Sequence, residues 1–421
     1  MMKRRLLTAA AVVLVIIVSA LIYLLVDDLP PNLADLVPKR ASLTPNENAF
    51  DLLSQARKKF VEPDNWYESL CAPRDERPVD DTATSWYSQQ MKDLLARNVE
   101  VLRLLDEGVA RGKLEMPEVN SFWSSDFIDW DDLGYLMNVR LYALSADGKR
   151  REALDEAVKI LRFGKMIQCG GYYFTGLSIK RACGYPAFAK FLCGAELDAD
   201  AISGYTRQIA PLIDNGEDLA NDLRALFRSA VAPDGFGGSG LPVLGGAGPP
   251  DSWTSFLYLP NATRRLLADA VRVSIRNIPR KPVDYEVSKL DSMMGPSPSR
   301  RWPLRNWGGV SWIARLWGSL DEFAEKRLDD VARNRGIRLL IALKLYHMKH
   351  GAIPPTLDNL VPEFIDAVPE DPFDGKPFRY IPAKKVLYSI GCERLRDGGY
   401  SKDQQDNRGD SCEDIVTEIG F

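Results

Sequence analysis

The chain has 421 residues, of which 54 are Lys or Arg and 58 are Asp or Glu, so its formal net charge is −4. This balance argues against a nucleic-acid surface as the main function. The length is sufficient for two or three domains with cores of their own.

The N-terminal region contains an apolar run of the length of a membrane span. Three basic residues at 3–5 precede 21 uncharged residues at 6–26, and two aspartates follow at 27–28. At about 1.5 Å per residue, this run would cross a hydrocarbon core of about 30 Å. Basic residues on one side only predict a retained anchor with a cytoplasmic N-terminus. The alternative is a signal peptide that is cut after Val18-Ser19-Ala20.

Residues 30–228 show the periodicity of helices. Thr44 is a predicted N-cap, with Pro45 at the first helical position of the segment that follows. A second helix is predicted from residue 88 onwards and ends at Gly112. These features predict an irregular helical bundle.

A helical hairpin is predicted around the turn at Asp147-Gly148. Apolar residues recur on one face of each predicted helix: Leu136, Val139 and Ala143 before the turn, and Ala153, Val158 and Leu161 after it. The turn, in which Gly148 is followed by Glu152, Ala153 and Leu154, resembles that of a tetratricopeptide hairpin. A binding solenoid needs about three repeats, so one hairpin within a bundle is the expected arrangement.

Residues 229–328 are rich in Gly, Pro and Trp and contain one clear helical pattern, at 261–278. Four tryptophans recur every five residues with arginines between them: Trp302, Trp307, Trp312 and Trp317. Such a stretch suits a membrane interface or the stacking of sugar rings. The alternative is that these rings fill the seam between two subdomains.

The last segment, residues 329–421, predicts a small α+β module. An amphipathic helix ends at Gly351 and is followed by a short helix that starts at two prolines. Three short strands are then predicted at 376–382, 384–391 and 414–421.

This segment resembles the globular head of type II secretion pseudopilins, above all the major one. The resemblance rests on five motifs in order: ALxLY, GxxPxxLxxLVP, PxDPFxGxPxxY, YSxG and a polar Asp/Gly-rich loop that ends in Asp-Ile. It covers about 85 of the 421 residues. The whole chain is also similar to uncharacterised membrane-anchored bacterial proteins that join an α-helical domain to such a tail, a likeness that implies no activity. The pseudopilin leader and the Glu of the pseudopilin stem are missing around residues 6–26.

The pseudopilin resemblance implies a Ca²⁺ site in the loop after YSxG. The matching oxygen ligands are the side chains of Asp397 and Asp414, with Asp410 as a spare, and the carbonyl of Ser389. The Asp-Gly pair that the resemblance leads us to expect just after YSxG is absent. The alternative to a calcium site is a solvated acidic loop without metal.

Six cysteines are consistent with an oxidising compartment. Cys392 and Cys412 flank the polar loop, and we predict that they form a disulfide that closes it.

Catalytic patterns are weak. The two histidines, His347 and His350, lie one helical turn apart and are expected to be a surface pair, and the Ser178/Lys180 spacing is common by chance. The strongest alternative is a periplasmic hydrolase of cell-wall or polysaccharide material. It would use carboxylates from the acidic and aromatic stretch at 122–132, which includes Asp126, Asp129 and Asp132. The interpretation favoured for that stretch is the polar start of a helix.

The sequence therefore predicts a mainly α protein with an N-terminal transmembrane helix, an irregular helical bundle with one tetratricopeptide-like hairpin, and a pilin-head-like α+β module. The expected boundaries are 1–28 for the anchor, 29–228 for the helical domain, 229–328 for the connecting region and 329–421 for the module. The expected location is the bacterial inner membrane, with the bulk of the chain in the periplasm. The expected function is structural or interactive, in association with a secretion or pilus apparatus. The expected partner is an envelope protein, no nucleic acid is expected, and Ca²⁺ is the one candidate cofactor.

Overall fold

The computed structural model describes residues 2–39, 42–62, 89–115, 130–194, 197–213, 216–231, 258–294, 305–310, 313, 321–391 and 415–421. Over these residues the protein is mainly α-helical, as predicted, with one small sheet. The α-helices are α1 (Met2–Leu25), α2 (Phe50–Lys59), α3 (Gln89–Arg97), α4 (Val99–Arg111), α5 (Asp131–Ala146), α6 (Arg150–Cys169), α7 (Tyr173–Ile179), α8 (Tyr185–Gly194), α9 (Ala199–Ile209), α10 (Glu217–Val231), α11 (Pro260–Asn277), α12 (Lys289–Met294) and α13 (Asp321–His350).

α1 covers most of the N-terminal apolar run. Among the residues that the structure describes, no helix is both long enough and apolar enough to cross a membrane. The helical conformation expected for this run is confirmed, whereas a membrane-spanning helix is not found.

The first helices of the bundle differ in detail from the prediction. α2 starts at Phe50 and not after Thr44, because residues 45–47 form a turn in which the Thr44 hydroxyl donates to Glu47. The second predicted helix is divided into α3 and α4 at Asn98. The Asn98 side chain is buried and bonds both backbone polar groups of Val61 (2.9 and 3.0 Å), which ties the end of α2 to this break. α4 ends at Gly112 in a left-handed conformation, as predicted.

The predicted hairpin is present as α5 and α6. Gly148 has a φ of +76°, which an L side chain rarely adopts, so the glycine allows the tight turn between the helices. The six apolar residues predicted to face inwards are all buried: Leu136, Val139, Ala143, Ala153, Val158 and Leu161. The hairpin forms the centre of the first hydrophobic core, which also includes residues of α2, α4, α8 and α9.

A second hydrophobic core lies between α10, α11 and α12. It includes Leu36 from a 3-10 turn (Ala34–Leu36) after α1, and Tyr173 and Leu177 from α7. The segment that follows α1 is therefore part of the folded body. The helix predicted at 261–278 is confirmed as α11.

The last segment begins with the 30-residue α13, which starts eight residues before the predicted boundary at 329 and ends before Gly351 (φ +73°). The short helix after the two prolines is a 3-10 turn (Leu357–Leu360). All three predicted strands are present as β1 (Arg379–Ile381), β2 (Val386–Ser389) and β3 (Ile415–Glu418), which form an antiparallel sheet in the order β1-β2-β3. Phe373 and Leu387 of this module share the first core with α5 and α6.

Candidate functional site

The apolar side chains of α1 are exposed along the helix. Val15 is 65% exposed and Ile16 is 62% exposed, whereas apolar side chains in the two cores are almost fully buried. Contiguous exposed apolar surface on this scale marks a place where a protein meets another protein or a lipid. α1 and the residues that join it to the body are therefore the first candidate for a functional site.

Asp27, two residues after α1, caps the N-terminus of α11. Its carboxylate accepts hydrogen bonds from the backbone nitrogens of Asn261 (2.8 Å) and Ala262 (3.1 Å). The first amides of a helix have no partner within the helix, and the residue that precedes α11 is Leu259, whose side chain cannot accept a hydrogen bond. The cap comes from more than 230 residues away in sequence, so it ties α1 directly to the body.

Arg305 makes the complementary contact at the C-terminus of α1. Its guanidinium donates to the carbonyl oxygens of Tyr23 (2.9 Å) and Val26 (3.2 Å), and it pairs with the Asp28 carboxylate at 2.6 Å. The same group lies 5.3 Å from the centre of the Tyr23 ring. The last carbonyls of a helix carry partial negative charge, so a cation at this position stabilises the helix end.

The chain remains attached to the body after these two contacts. Asp35 forms a two-pronged ion pair with Arg272 of α11 (2.6 and 2.7 Å), and the hydrogen bond from this guanidinium lowers the pKa of the Asp35 carboxyl. Further on, the backbone of Lys39 bonds both polar groups of the Asn221 side chain. We define the junction as residues 27–39 together with Arg305 and with the partner residues on α10 and α11.

Sequence reasoning missed the junction. The sequence contains arginines between the tryptophans at 302–317 and two aspartates after the apolar run. The aspartates were interpreted only as the end of that run. Of the four tryptophans in that stretch, only Trp307 lies among the described residues, and it is half-buried. Trp302, Trp312 and Trp317 lie outside the described residues.

The C-terminal α+β module, residues 329–421, is organised around Asp371, which is fully buried in the PxDPFxGxP motif. Its carboxylate accepts hydrogen bonds from the backbone nitrogens of Phe373 and Ile390, from the Ser389 hydroxyl (3.0 Å) and from the Arg379 guanidinium (3.0 Å). Two of the motifs that suggested the resemblance therefore meet at one carboxylate.

Of the four residues predicted to bind calcium, the structure describes only Ser389. Ser389 is buried at the end of β2, with its hydroxyl bonded to Asp371. Asp397, Asp410 and Asp414 lie outside the described residues, as do Cys392 and Cys412. Among the residues that are described, no group of three or more acidic, His or Cys side chains is placed to hold a metal ion.

Of the three aspartates considered for a hydrolase, the structure describes only Asp132. Asp132 lies in the first turn of α5, is almost buried, and pairs with Arg57 of α2 at 2.6 Å. The neighbouring Trp130 is fully buried in the first core and cannot stack on a sugar. Asp126 and Asp129 lie outside the described residues. The contacts of Asp132 favour the interpretation of this stretch as the start of a helix.

The histidine pair lies at the surface, with His347 half-buried and His350 exposed, and both rings contact aromatic side chains. The His347 ring lies 5.3 Å from the ring of Phe421, and His350 lies 4.3 Å from the ring of Tyr346. Ser178 is exposed, whereas Lys180 is fully buried and paired with Asp330, so they do not form a nucleophile and its base.

Comparison with protein-family models, with curated proteins and with solved structures finds no match to this chain.

Proposed function

We propose that this protein is a structural or interaction protein of the bacterial inner membrane, held there by the uncharged apolar run at residues 6–26, with the rest of the chain in the periplasm. The observation that carries the proposal is the junction, where a helix with exposed apolar side chains is bonded at its end to the folded body. A lipid bilayer would cover these side chains, at roughly 25 cal/mol per Å² of apolar surface removed from water.

The junction indicates what such an anchor would do. A flexible tether would let the body move freely, whereas Asp27 and Arg305 fix the end of α1 against α11. The body would therefore be presented to a partner at one height and orientation relative to the membrane. The likeness of the last segment to pseudopilin heads favours an envelope protein of a secretion or pilus apparatus as that partner.

The proposed orientation rests on charge. The three basic residues at 3–5 precede the apolar run, and the first charged residues after it are Asp27 and Asp28. Basic residues are retained on the cytoplasmic side, so the N-terminus would be cytoplasmic.

The first experiment tests attachment and orientation with the full chain. Membranes would be washed with alkaline carbonate, and spheroplasts that carry the protein with an N-terminal epitope tag would be treated with protease. We expect the protein to stay in the pellet, the body to be degraded and the tag to be protected. Release by carbonate, or loss of the tag, would overturn the proposal.

A matched pair of variants tests the role of the apolar side chains. Val15→Lys with Ile16→Lys places two charges in α1, each at a cost of roughly 3 kcal/mol near the centre of a bilayer. We expect this variant to be released from the membrane. Val283→Lys changes a valine that is 80% exposed on the body, and it should leave attachment unchanged.

A second experiment tests the interaction role. A photo-reactive residue introduced at exposed positions of α13 and of the pilin-head-like module should give one discrete crosslinked species in living cells. Crosslinks to lipid or to no protein at every position would argue against an envelope partner.

A further inference from the structure

A groove lies between α6 and α9, and the C-terminal end of α4 also contributes to its lining. Its volume is about 490 Å³, within the range of roughly 300–1,000 Å³ that is typical of small-molecule sites.

The two long walls of the groove follow helical spacing. α6 contributes Arg162, Lys165, Met166 and Cys169, and α9 and the turn after it contribute Gly204, Arg207, Gln208 and Pro211. In both sets the residues lie at positions i, i+3, i+4 and i+7, which share one face of a helix. One face of the last two turns of α6, and one face of the end of α9 with the turn after it, therefore line the groove.

The floor of the groove is apolar. Val109, Met166 and Leu212 line it, and all three are buried. Gly204 lines the wall opposite α6, and a side chain there would point into open space, because a Cβ at this position would meet no atom within 4 Å. The groove thus has room for an apolar group of a ligand.

The rim carries positive charge. Arg162 and Arg207 have no acidic partner within the described part of the chain, and both are exposed. Lys165 pairs with Asp218 of α10, which offsets one of the three charges. Among the residues that the structure describes, the groove lining includes no acidic side chain.

The charged and amide side chains that line the groove, Arg162, Lys165, Arg207 and Gln208, present hydrogen-bond donors. The carbonyl oxygens of the three floor residues are already bonded: Val109 to the Gly112 nitrogen (3.1 Å), Met166 to the Gly170 nitrogen (2.9 Å) and Leu212 to the Lys180 ammonium (3.2 Å). The Oε1 atom of Gln208 accepts from Arg162 at 2.8 Å, so the amide nitrogen of Gln208 remains as a donor.

We propose that this groove binds a small anionic amphiphile, that is, a carboxylate or phosphate group attached to a short apolar chain. The acceptor oxygens of the ligand bond Arg162, Arg207 and Gln208 at the rim, and its apolar chain lies over the floor. Arginine suits this role because its guanidinium presents several donors in one plane to a carboxylate or phosphate.

Titration calorimetry on the full chain in phosphatidylcholine nanodiscs, with empty nanodiscs subtracted, tests the proposal. The probes are octyl phosphate and octanoate below their micelle concentrations, with inorganic phosphate and octylammonium for comparison. We expect saturable binding of at least one octyl anion. No binding of either anion, binding of octylammonium with equal affinity, or equal affinity for inorganic phosphate would overturn the proposal.

Two sets of variants locate the binding. Gly204→Phe fills the groove and should weaken binding at least tenfold, whereas Gly204→Ala adds one methyl group in open space and should bind as the wild type does. Arg162→Ala combined with Arg207→Ala should also weaken binding at least tenfold, whereas Arg151→Ala, at an exposed position of α6 outside the groove, should not. Unchanged affinity in both Gly204→Phe and the double arginine variant would place the binding elsewhere and overturn the assignment.

Discussion

The Lys180 ammonium lies 2.6 Å from the Asp330 carboxylate, and neither side chain is exposed to solvent. The two residues are 150 positions apart, on the π-helical turn after α7 (Lys180–Gly184) and on α13. Their surroundings complete the hydrogen bonding of both groups. Lys180 also donates to Gln168 and to the Leu212 carbonyl, and the Tyr185 hydroxyl donates to Asp330 at 2.7 Å.

The π-helical turn explains how two side chains from one helix reach the same carboxylate. Residues five apart diverge by about 140° on an α-helix. Here the nitrogen of Tyr185 donates to the carbonyl of Lys180, and the wider turn brings the two positions to one face. Burial and the neighbouring Asp330 raise the pKa of the Tyr185 hydroxyl, so it remains a donor at neutral pH.

Lys180→Met should destabilise the protein by roughly 3–5 kcal/mol, because it leaves the Asp330 carboxylate buried without its counter-charge. The same loss is expected for Asp330→Leu. The combination of the two should cost less than the sum, since neither charge is then left alone. Denaturant unfolding of the four proteins measures this coupling, and additive losses would mean that the pair does not interact energetically.

The close approach of α6 and α7 buries this pair, and no sequence pattern predicted it. A Cβ at Gly176 would lie 2.2 Å from the Gly164 carbonyl oxygen, and a Cβ at Gly164 would lie 2.5 Å from Cγ of Lys180. Periodicity predicted the hairpin helices because the inward faces of α5 and α6 carry a local pattern. A contact that depends on two glycines and a lysine in different helices leaves no local pattern to read.

In the rest of the chain, too, local sequence patterns predicted the elements, whereas contacts between distant residues were missed. The three strands of the last module were predicted from short apolar runs between turn residues, and the structure places them in one sheet. The start of α2 was predicted wrongly, because Thr44 bonds Glu47 in a turn in place of a helix. The junction was missed because the partners of Asp27 and Arg305 lie more than 230 residues away in sequence.

A buried carboxyl on α10 should make stability depend on pH. Burial raises the pKa of Asp222 from 3.8 to about 8, and a hydrogen bond from the Tyr173 nitrogen opposes the shift. In the described part of the chain, its Oδ1 atom has no hydrogen-bond partner. Between the two pKa values, unfolding releases a proton that the folded protein holds. The protonated Asp222 carboxyl therefore contributes its full stability below about pH 4, and this contribution is lost as the pH rises from about 4 to about 8.

Asp222→Asn removes this titration and keeps an acceptor for the Tyr173 nitrogen. We expect it to stabilise the protein by a few kcal/mol at pH 7.5, with a smaller gain at pH 5. Thermal unfolding measured from pH 5 to pH 8 tests the prediction. Asp218→Asn, on the same helix, breaks the pair with Lys165 and should not flatten the pH profile. A gain that is equal at both pH values would contradict the role of the buried carboxyl.

The loop between β2 and β3 should be closed by a disulfide. The register pairs Ser389 with Ile415, and Cys392 and Cys412 lie three residues beyond these two strand ends in the sequence. Closing a loop of about twenty residues should contribute on the order of 3 kcal/mol. Peptide mapping without reductant should recover the two cysteines linked, and recovery of both as alkylated thiols would exclude the bond.

The Ca²⁺ prediction for the same loop can be tested separately. If Asp397 and Asp414 bind the ion, the unfolding temperature should rise with Ca²⁺ over a chelator control. The rise should be lost in Asp397→Asn. An unfolding temperature that does not respond to Ca²⁺ would remove the metal site and leave the disulfide prediction standing.

Asp27→Ala should loosen the end of α1 without unfolding the body. The substitution removes the acceptor for the first two bonded amides of α11, and loss of a helix cap typically costs about 1 kcal/mol. A loss of that size lowers the unfolding temperature of a large domain by only about 2–4 °C, so the unfolding temperature should change little. Hydrogen exchange should instead become faster at Asn261 and Ala262, and the exchange of the α5 and α6 amides should stay the same.

Asp27→Asn is the graded variant for this contact. The carboxylate accepts from Asn261 through Oδ2 and from Ala262 through Oδ1, and an asparagine keeps only one of these two acceptors, so the exchange at the start of α11 should lie between that of the wild type and that of Asp27→Ala. Arg305→Ala is the reciprocal test, because it removes the donor to Tyr23 and Val26 and leaves the Asp27 cap in place. In that variant the exchange should rise at the end of α1 and not at Asn261. If Asp27→Ala and Asp27→Asn had the same exchange rates as the wild type, the cap would contribute nothing to the junction.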